Sequence, residues 1–159
     1  VESGAIVLRP VDPAELSPGE LSHEIRRAVT EGGCSVVVID SLNGYLHAMP
    51  SERFLVVQLH ELLSFLGQRG VVTLLVNAQM GMVGSMQSAV DASYLADAVV
   101  LTRYFEAEGE VRLALSVLKK RGGRHERSIR ELTLAQGRIG VGEPLREYRG
   151  ILTGVPSRT

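Results

Sequence analysis

Short apolar runs alternate with stretches of helical spacing through the first hundred positions. Ala5 to Leu8 is an apolar run that reads as a strand. Ser17-Pro18-Gly19-Glu20 then has capping-box spacing, with proline at the first helical position, where its missing N–H costs nothing. The helix it opens sets Leu21, Ile25, Ala28 and Val29 on one face, against His23, Glu24, Arg26 and Arg27, and Gly32-Gly33 ends it. Val36-Val37-Val38-Ile39 is β-branched throughout, without polar alternation, the pattern of a strand buried on both faces of a parallel sheet. A second helix is predicted from about Ser51 to Arg69, with Leu55, Leu59, Leu62, Leu63 and Leu66 at helical spacing. Gly70 stops it, and Val71 to Val76 reads as another apolar strand. This rhythm predicts a doubly wound α/β domain.

The pattern then changes. Residues 80–90 are rich in glycine, methionine and serine and read as a flexible loop, with Met80, Met82 and Met86 as loop anchors or interface contacts. Ala98 to Phe105 and Val111 to Leu118 read as strands joined around the turn signal Glu108-Gly109. Ser128 to Leu134 and Arg138 to Val141 make two more around Gln136-Gly137. The polar stretch from Pro144 to Thr159 is expected to wrap the domain or meet a partner. The expectation for the 159 residues is one domain: an alternating core over 1–100, hairpins over 101–143 and a tail over 144–159.

Composition narrows the class. Hydrophobic residues at 45% and charged residues at 22% are the mix of an ordinary globular protein, and no apolar run has bilayer-spanning length. The single cysteine, Cys34, excludes an internal disulfide and fits a reducing compartment, so a cytoplasmic setting is expected, with no membrane partner. Cys34 precedes an apolar strand and reads as a small buried thiol. The chain opens on Val1 rather than methionine, the mark expected of a processed or excised piece.

The net charge of -1 hides an asymmetry: residues 1–102 carry five basic and eleven acidic groups, and 103–159 carry twelve and seven. Lys119 to Arg130 holds six basic residues and one acid, Glu126. Such a cluster either attracts phosphate or solvates a strand end.

Asp40 follows four apolar strand residues and so stands at the carboxyl end of a central strand, where open α/β sheets bind ligands. Four apolar residues and then aspartate form the Walker B pattern, whose carboxylate holds magnesium directly or through water. Aspartate also ends buried strands as a cap, so both readings stand. Ser41 supports the magnesium waters or caps the turn. Asn77-Ala78-Gln79 closes the next strand, where Gln79 senses a γ-phosphate or simply forms a turn. No G-x-x-x-x-G-K-[ST] appears, and one cysteine with four scattered histidines (His23, His47, His60 and His125) offers no zinc spacing.

The segments VVVIDS (36–41), DAVVLTRY (97–104), LKKRG (118–122), HERSIRE (125–131) and GILTGVPSR (150–158) resemble the KaiC branch of RecA-type ATPases. Their order and spacing are similar to those of the second ATPase domain of KaiC proteins, and K-x-R-G followed by H-x-x-x-I-R-E is the most specific part. The YFEAEG and TGVPS wording is nearer still to bacterial KaiC-like signal-transduction ATPases.

The resemblance implies a RecA-like P-loop NTPase core, a mostly parallel sheet flanked by helices with a C-terminal antiparallel hairpin. It implies a homo-oligomeric ring, a hexamer among the sizes it admits, with ATP and Mg2+ between subunits. Carried over, Asp40 is the Walker B aspartate and metal ligand, while Lys119, Lys120, Arg121, Gly123, His125 and Arg127 meet the neighbour's nucleotide. The phosphate-binding loop and catalytic glutamates would precede the first strand, so the chain alone is expected to lack ATPase activity and tight binding of either ATP or Mg2+.

Ser93-Tyr94 aligns with the family's paired Ser-Thr autophosphorylation site, so Ser93 alone is kept and serine/threonine autokinase activity is not favoured. The leading expectation is an ATPase half-domain in signal transduction or regulation, with an unidentified signalling protein as partner. A non-catalytic oligomerisation or signalling module is the second reading. A nucleic-acid binder using residues 80–90 is the third, and the lack of lysine or arginine there counts against it.

Overall fold

Ser17 opens the first helix as the spacing predicts: its hydroxyl accepts from the Glu20 N–H at 3.3 Å, and the Glu20 carboxylate accepts from the Ser17 N–H at 2.9 Å. The computed structural model describes residues 4–44, 52–78 and 93–158. The chain divides into two compact units, Val1–Ala78 and Gln79–Thr159.

The first unit runs α1 (Pro18–Thr30), β1 (Val36–Asp40), α2 (Glu52–Gln68) and β2 (Val72–Val76). Strands β1 and β2 pair in parallel from Val36↔Val72 to Asp40↔Val76, so their carboxyl ends lie side by side. The leucine stripe of α2 does what its spacing requires. Leu55, Leu59, Leu62 and Leu66 are all buried, Leu66 completely. Leu62 and Leu66 pack with Val37, Ile39, Ile25, Val29, Phe65 and the Cys34 side chain. The helices cover one face of the parallel pair. The other face, formed by Val36, Val38, Val72, Leu74 and Val76, is exposed, although the unbroken apolar run predicts burial on both sides. Within this unit no described element lies over it.

Ala5 to Leu8 does not form a strand: these residues are irregular and exposed. Strand preference is that of a half-buried pleated surface, and these side chains gain no such burial.

The second unit is antiparallel. Strands β3 (Ala98–Ala107), β4 (Glu110–Lys120), β5 (Arg130–Ala135) and β6 (Arg138–Pro144) form one sheet in that order. Glu108 and Gly109 both take positive φ, 57° and 79°, which closes β3 onto β4 at the predicted turn. Register shifts between Val99 and Val100, so β4 carries one extra residue, Leu118, between the partners Val117 and Lys119.

The closing stretch wraps this sheet. Short strands β7 (Tyr148–Arg149) and β8 (Ser157–Arg158) pair around a 3-10 turn at Ile151–Thr153, and Ile151 is buried with Phe105, Ala107 and Ala114. Arg112 on β4 fastens the layers. Its guanidinium lies 5.7 Å from both the Phe105 and Tyr148 ring centres and donates to both carboxylate oxygens of Glu131 on β5, at 2.8 and 2.7 Å. Arg103 donates to the Leu152 carbonyl at 2.6 Å.

Leu66→Ala removes the most enclosed side chain of the first unit. It is expected to cost about 2–5 kcal/mol in urea unfolding, whereas truncating the exposed Leu74 to alanine should cost far less.

Candidate functional site

Asp40 ends β1 at the carboxyl edge of the parallel pair, and its residue is exposed there. The peptide bond to Ser41 is cis. Residues 42–44 turn helical, with Leu42 buried as their anchor. The next side chain was not singled out by sequence reasoning. The Asn43 amide donates to the Ala78 carbonyl at 2.7 Å, and its carbonyl oxygen accepts from the Ala78 N–H at 2.7 Å. Pairing that begins in the β1–β2 ladder is thereby extended past the strand ends by one side chain. Gln79 and residues 80–90 lie outside the described residues.

Among the described residues no three of His, Cys, Asp and Glu gather into a metal-holding group. Asp40 is a single carboxylate with the Ser41 hydroxyl next in sequence. That donor set fits magnesium bound with a nucleotide, which keeps waters and phosphate oxygens and takes one or two carboxylates.

The basic segment belongs to the second unit, at the end of β4 and the loop beyond it. Its charges fall into two sets. Lys119 donates to the Ser93 carbonyl at 2.8 Å. Arg121 donates to the Tyr94 carbonyl at 3.2 Å, pairs with the Asp97 carboxylate at 3.2 Å, and its N–H reaches the Asp97 carbonyl at 2.6 Å. The structure thus joins Ser93 to Lys119, two candidates that were assigned separate roles. The Lys120, Arg124 and Arg127 side chains are exposed and make no hydrogen bond or ion pair among the described residues, and His125 is half-buried. Arg124 is an addition to the candidate set. Gly122 and Gly123 both take positive φ, 84° and 76°, the backbone reversal that presents these charges.

Glu126 holds the far side of the loop. Its carboxylate accepts from the Ser128 N–H at 2.9 Å and from Arg130 at 3.2 Å. Because the Ser128 N–H is engaged there, β5 starts at Arg130 rather than at Ser128. The lone acid of the basic run is its structural tie. Its chemical signal was its solitude among cations, but which donor it would capture was not readable from spacing.

The family described as "ATPase: KaiC" matches residues 6–146. The "Circadian clock protein KaiC3" of Synechocystis sp. is 33% identical over 127 residues, which cover 77% of this chain and 24% of that protein. The "Circadian clock oscillator protein KaiC" of Picosynechococcus sp. is 35% identical over 66 residues, 42% of this chain and 13% of the relative. That of Acaryochloris marina is 25% identical over 137 residues, 86% of this chain and 26% of the relative. The chain spans about a quarter or less of the length of these three relatives.

The Ser128 N–H, helped by the Arg130 guanidinium, lowers the Glu126 carboxyl from its ordinary 4.5 to about 2. A carboxyl depressed on folding contributes stability above its unfolded value and loses it as pH falls through the folded value. The loop should therefore keep its Ser128 amide protection at pH 5 and lose it between pH 4.5 and about 2. In Glu126→Gln that acid-dependent loss should vanish, as read by NMR titration and amide exchange.

Proposed function

The chain belongs to the KaiC family of ATPases, and on that premise we propose that it forms part of an ATP-hydrolysing unit. In this reading Asp40 holds the magnesium of bound ATP, directly or through water. The observation that carries it is the place of Asp40, at the carboxyl end of a parallel strand beside the end of the next. This is where open α/β sheets take ligands. Magnesium there would draw charge off the phosphate oxygens; Asp40 supplies the carboxylate, and Ser41 can accept or donate to a coordinated water.

The chain contains no G-x-x-x-x-G-K-[ST], so the reading requires a phosphate-binding loop supplied by residues other than these 159. It follows that the chain alone neither hydrolyses ATP nor binds it tightly. The unit acts as a homo-oligomeric ring with nucleotide between subunits and serves a signalling partner.

The basic segment faces the neighbouring subunit's phosphates. Lys120, Gly123, Arg124, His125 and Arg127 form the accessible part, and Gly123 lets the backbone approach. Lys119 and Arg121 shape the segment through bonds to carbonyl oxygens. A phosphate oxygen is a stronger acceptor than a neutral carbonyl, so both remain exchangeable onto nucleotide. Ser93, whose carbonyl receives Lys119, would be a phosphorylatable position only if a γ-phosphate can reach it. Gln79, next after Ala78 in the sequence, completes the proposed set as the amide that senses the γ-phosphate.

Two variants of the whole protein test the trans arrangement. Asp40→Ala should abolish hydrolysis through the subunit's own site, and Arg124→Ala/Arg127→Ala should abolish it at the neighbour's. Each lost charge-assisted bond is expected to cost about 1.5–3 kcal/mol. Mixed rings contain interfaces that join an intact Asp40 to an intact basic segment, so part of the activity should return. Mixed rings without any recovery would mean that the segment does not act across subunits.

A further inference from the structure

Asn43 makes two hydrogen bonds of 2.7 Å to the same residue, donating to the Ala78 carbonyl and accepting from the Ala78 N–H. Thirty-five positions separate the two residues. Ala78 is not joined by the β1–β2 ladder, which ends at Asp40↔Val76. The carboxamide therefore does the work of a further ladder residue, offering a donor and an acceptor to one backbone unit. Only asparagine presents both groups at this reach: aspartate lacks the donor, serine lacks the span, and glutamine is one methylene too long. Burial of Leu42 immediately before Asn43 fixes the origin of the side chain.

We propose that Asn43 is a positioning residue, which sets the spacing between the strand end that carries Asp40 and the strand end that leads to Gln79. The inference rests on the reading of Asp40 as the magnesium-holding carboxylate. Asn43 touches neither metal nor nucleotide in this scheme. It locks the helical turn after β1 to the backbone after β2, so that a change in how Asp40 is engaged is felt at Ala78. Without the lock, each strand end relaxes by itself, and the carboxylate spends part of its time away from the productive place.

The test uses the assembled whole protein, with Mn2+ as a paramagnetic stand-in for magnesium and a non-hydrolysable ATP analogue, followed by electron paramagnetic resonance. Asn43→Ala should raise the half-saturating Mn2+ concentration about tenfold, the scale of two lost net hydrogen bonds. It should also remove the effect of Mn2+ and nucleotide on Ala78 amide exchange. Asn43→Gln keeps the amide chemistry, and it should show the same change through misregister. Leu66→Val, destabilised by packing alone, should bind Mn2+ as the wild type does. If Asp40→Asn weakens Mn2+ binding while both Asn43 variants match the wild type, the positioning role is overturned and Asp40 keeps its role. If Asp40→Asn also leaves binding unchanged, the reading of Asp40 falls and the inference with it. If Leu66→Val loosens Mn2+ as much as Asn43→Ala does, general instability explains the effect and the positioning role is overturned.

Discussion

The second unit depends on one guanidinium. Arg112 is flanked by two aromatic rings and forked onto Glu131, so a single side chain spans β3, β4, β5 and the returning tail. The pair is mutually reinforcing: the carboxylate is held below its ordinary range by the guanidinium, and the guanidinium is kept fully charged by the carboxylate. Half-burial between rings keeps water from competing for either group. The sheet that bears the basic segment is thereby a rigid platform. Arg124 projects from a loop that is tied at both ends, by Arg121 to Asp97 and by Glu126 to Ser128 and Arg130, with Lys120 and Arg127 just outside the ties.

A charge cluster in a sequence is only a count until each charge is matched with its partner. Of the six cations between Lys119 and Arg130, three are consumed by carbonyl and carboxylate oxygens of their own chain. The three that remain are not the ones whose motif is most specific. This division separates the residues that shape the segment from those free to meet an anion. A lysine bound to a neutral carbonyl occupies an intermediate place, since it can exchange partners when a stronger acceptor arrives.

Much of the architecture is legible in local pattern. The capping box at Ser17, the leucine stripe of α2 and the Glu108-Gly109 turn are short-range devices, and each forms where its spacing requires. Asp40 is likewise readable, because four apolar residues and a carboxylate define a strand end. What escapes reading is pairing across distance. Nothing in Ser-Leu-Asn announces that Asn43 will meet Ala78, and nothing in His-Glu-Arg-Ser announces that Glu126 will capture the Ser128 amide. The run at Ala5–Leu8 fails for the complementary reason: hydrophobicity alone does not supply burial. The continuous apolar run in β1 was correct about the strand but overstated its cover, since one face packs on helices while the other is bare in this unit.

The extra residue in β4 has a consequence for how this protein can vary. Side chains on a strand alternate faces, and Leu118 interrupts that alternation just before the lysine pair. Because of the bulge, Val117 and Lys119 pair with the adjacent residues Val100 and Val99 and so stand on opposite faces although they are two positions apart. Deleting the half-exposed Leu118 would close the ladder and keep the pairs Val99↔Lys119 and Ala98↔Lys120, with the chain's charge unchanged. Drift in this family member should therefore tolerate both substitution and loss at this one position, while Lys119 and Lys120 keep their faces.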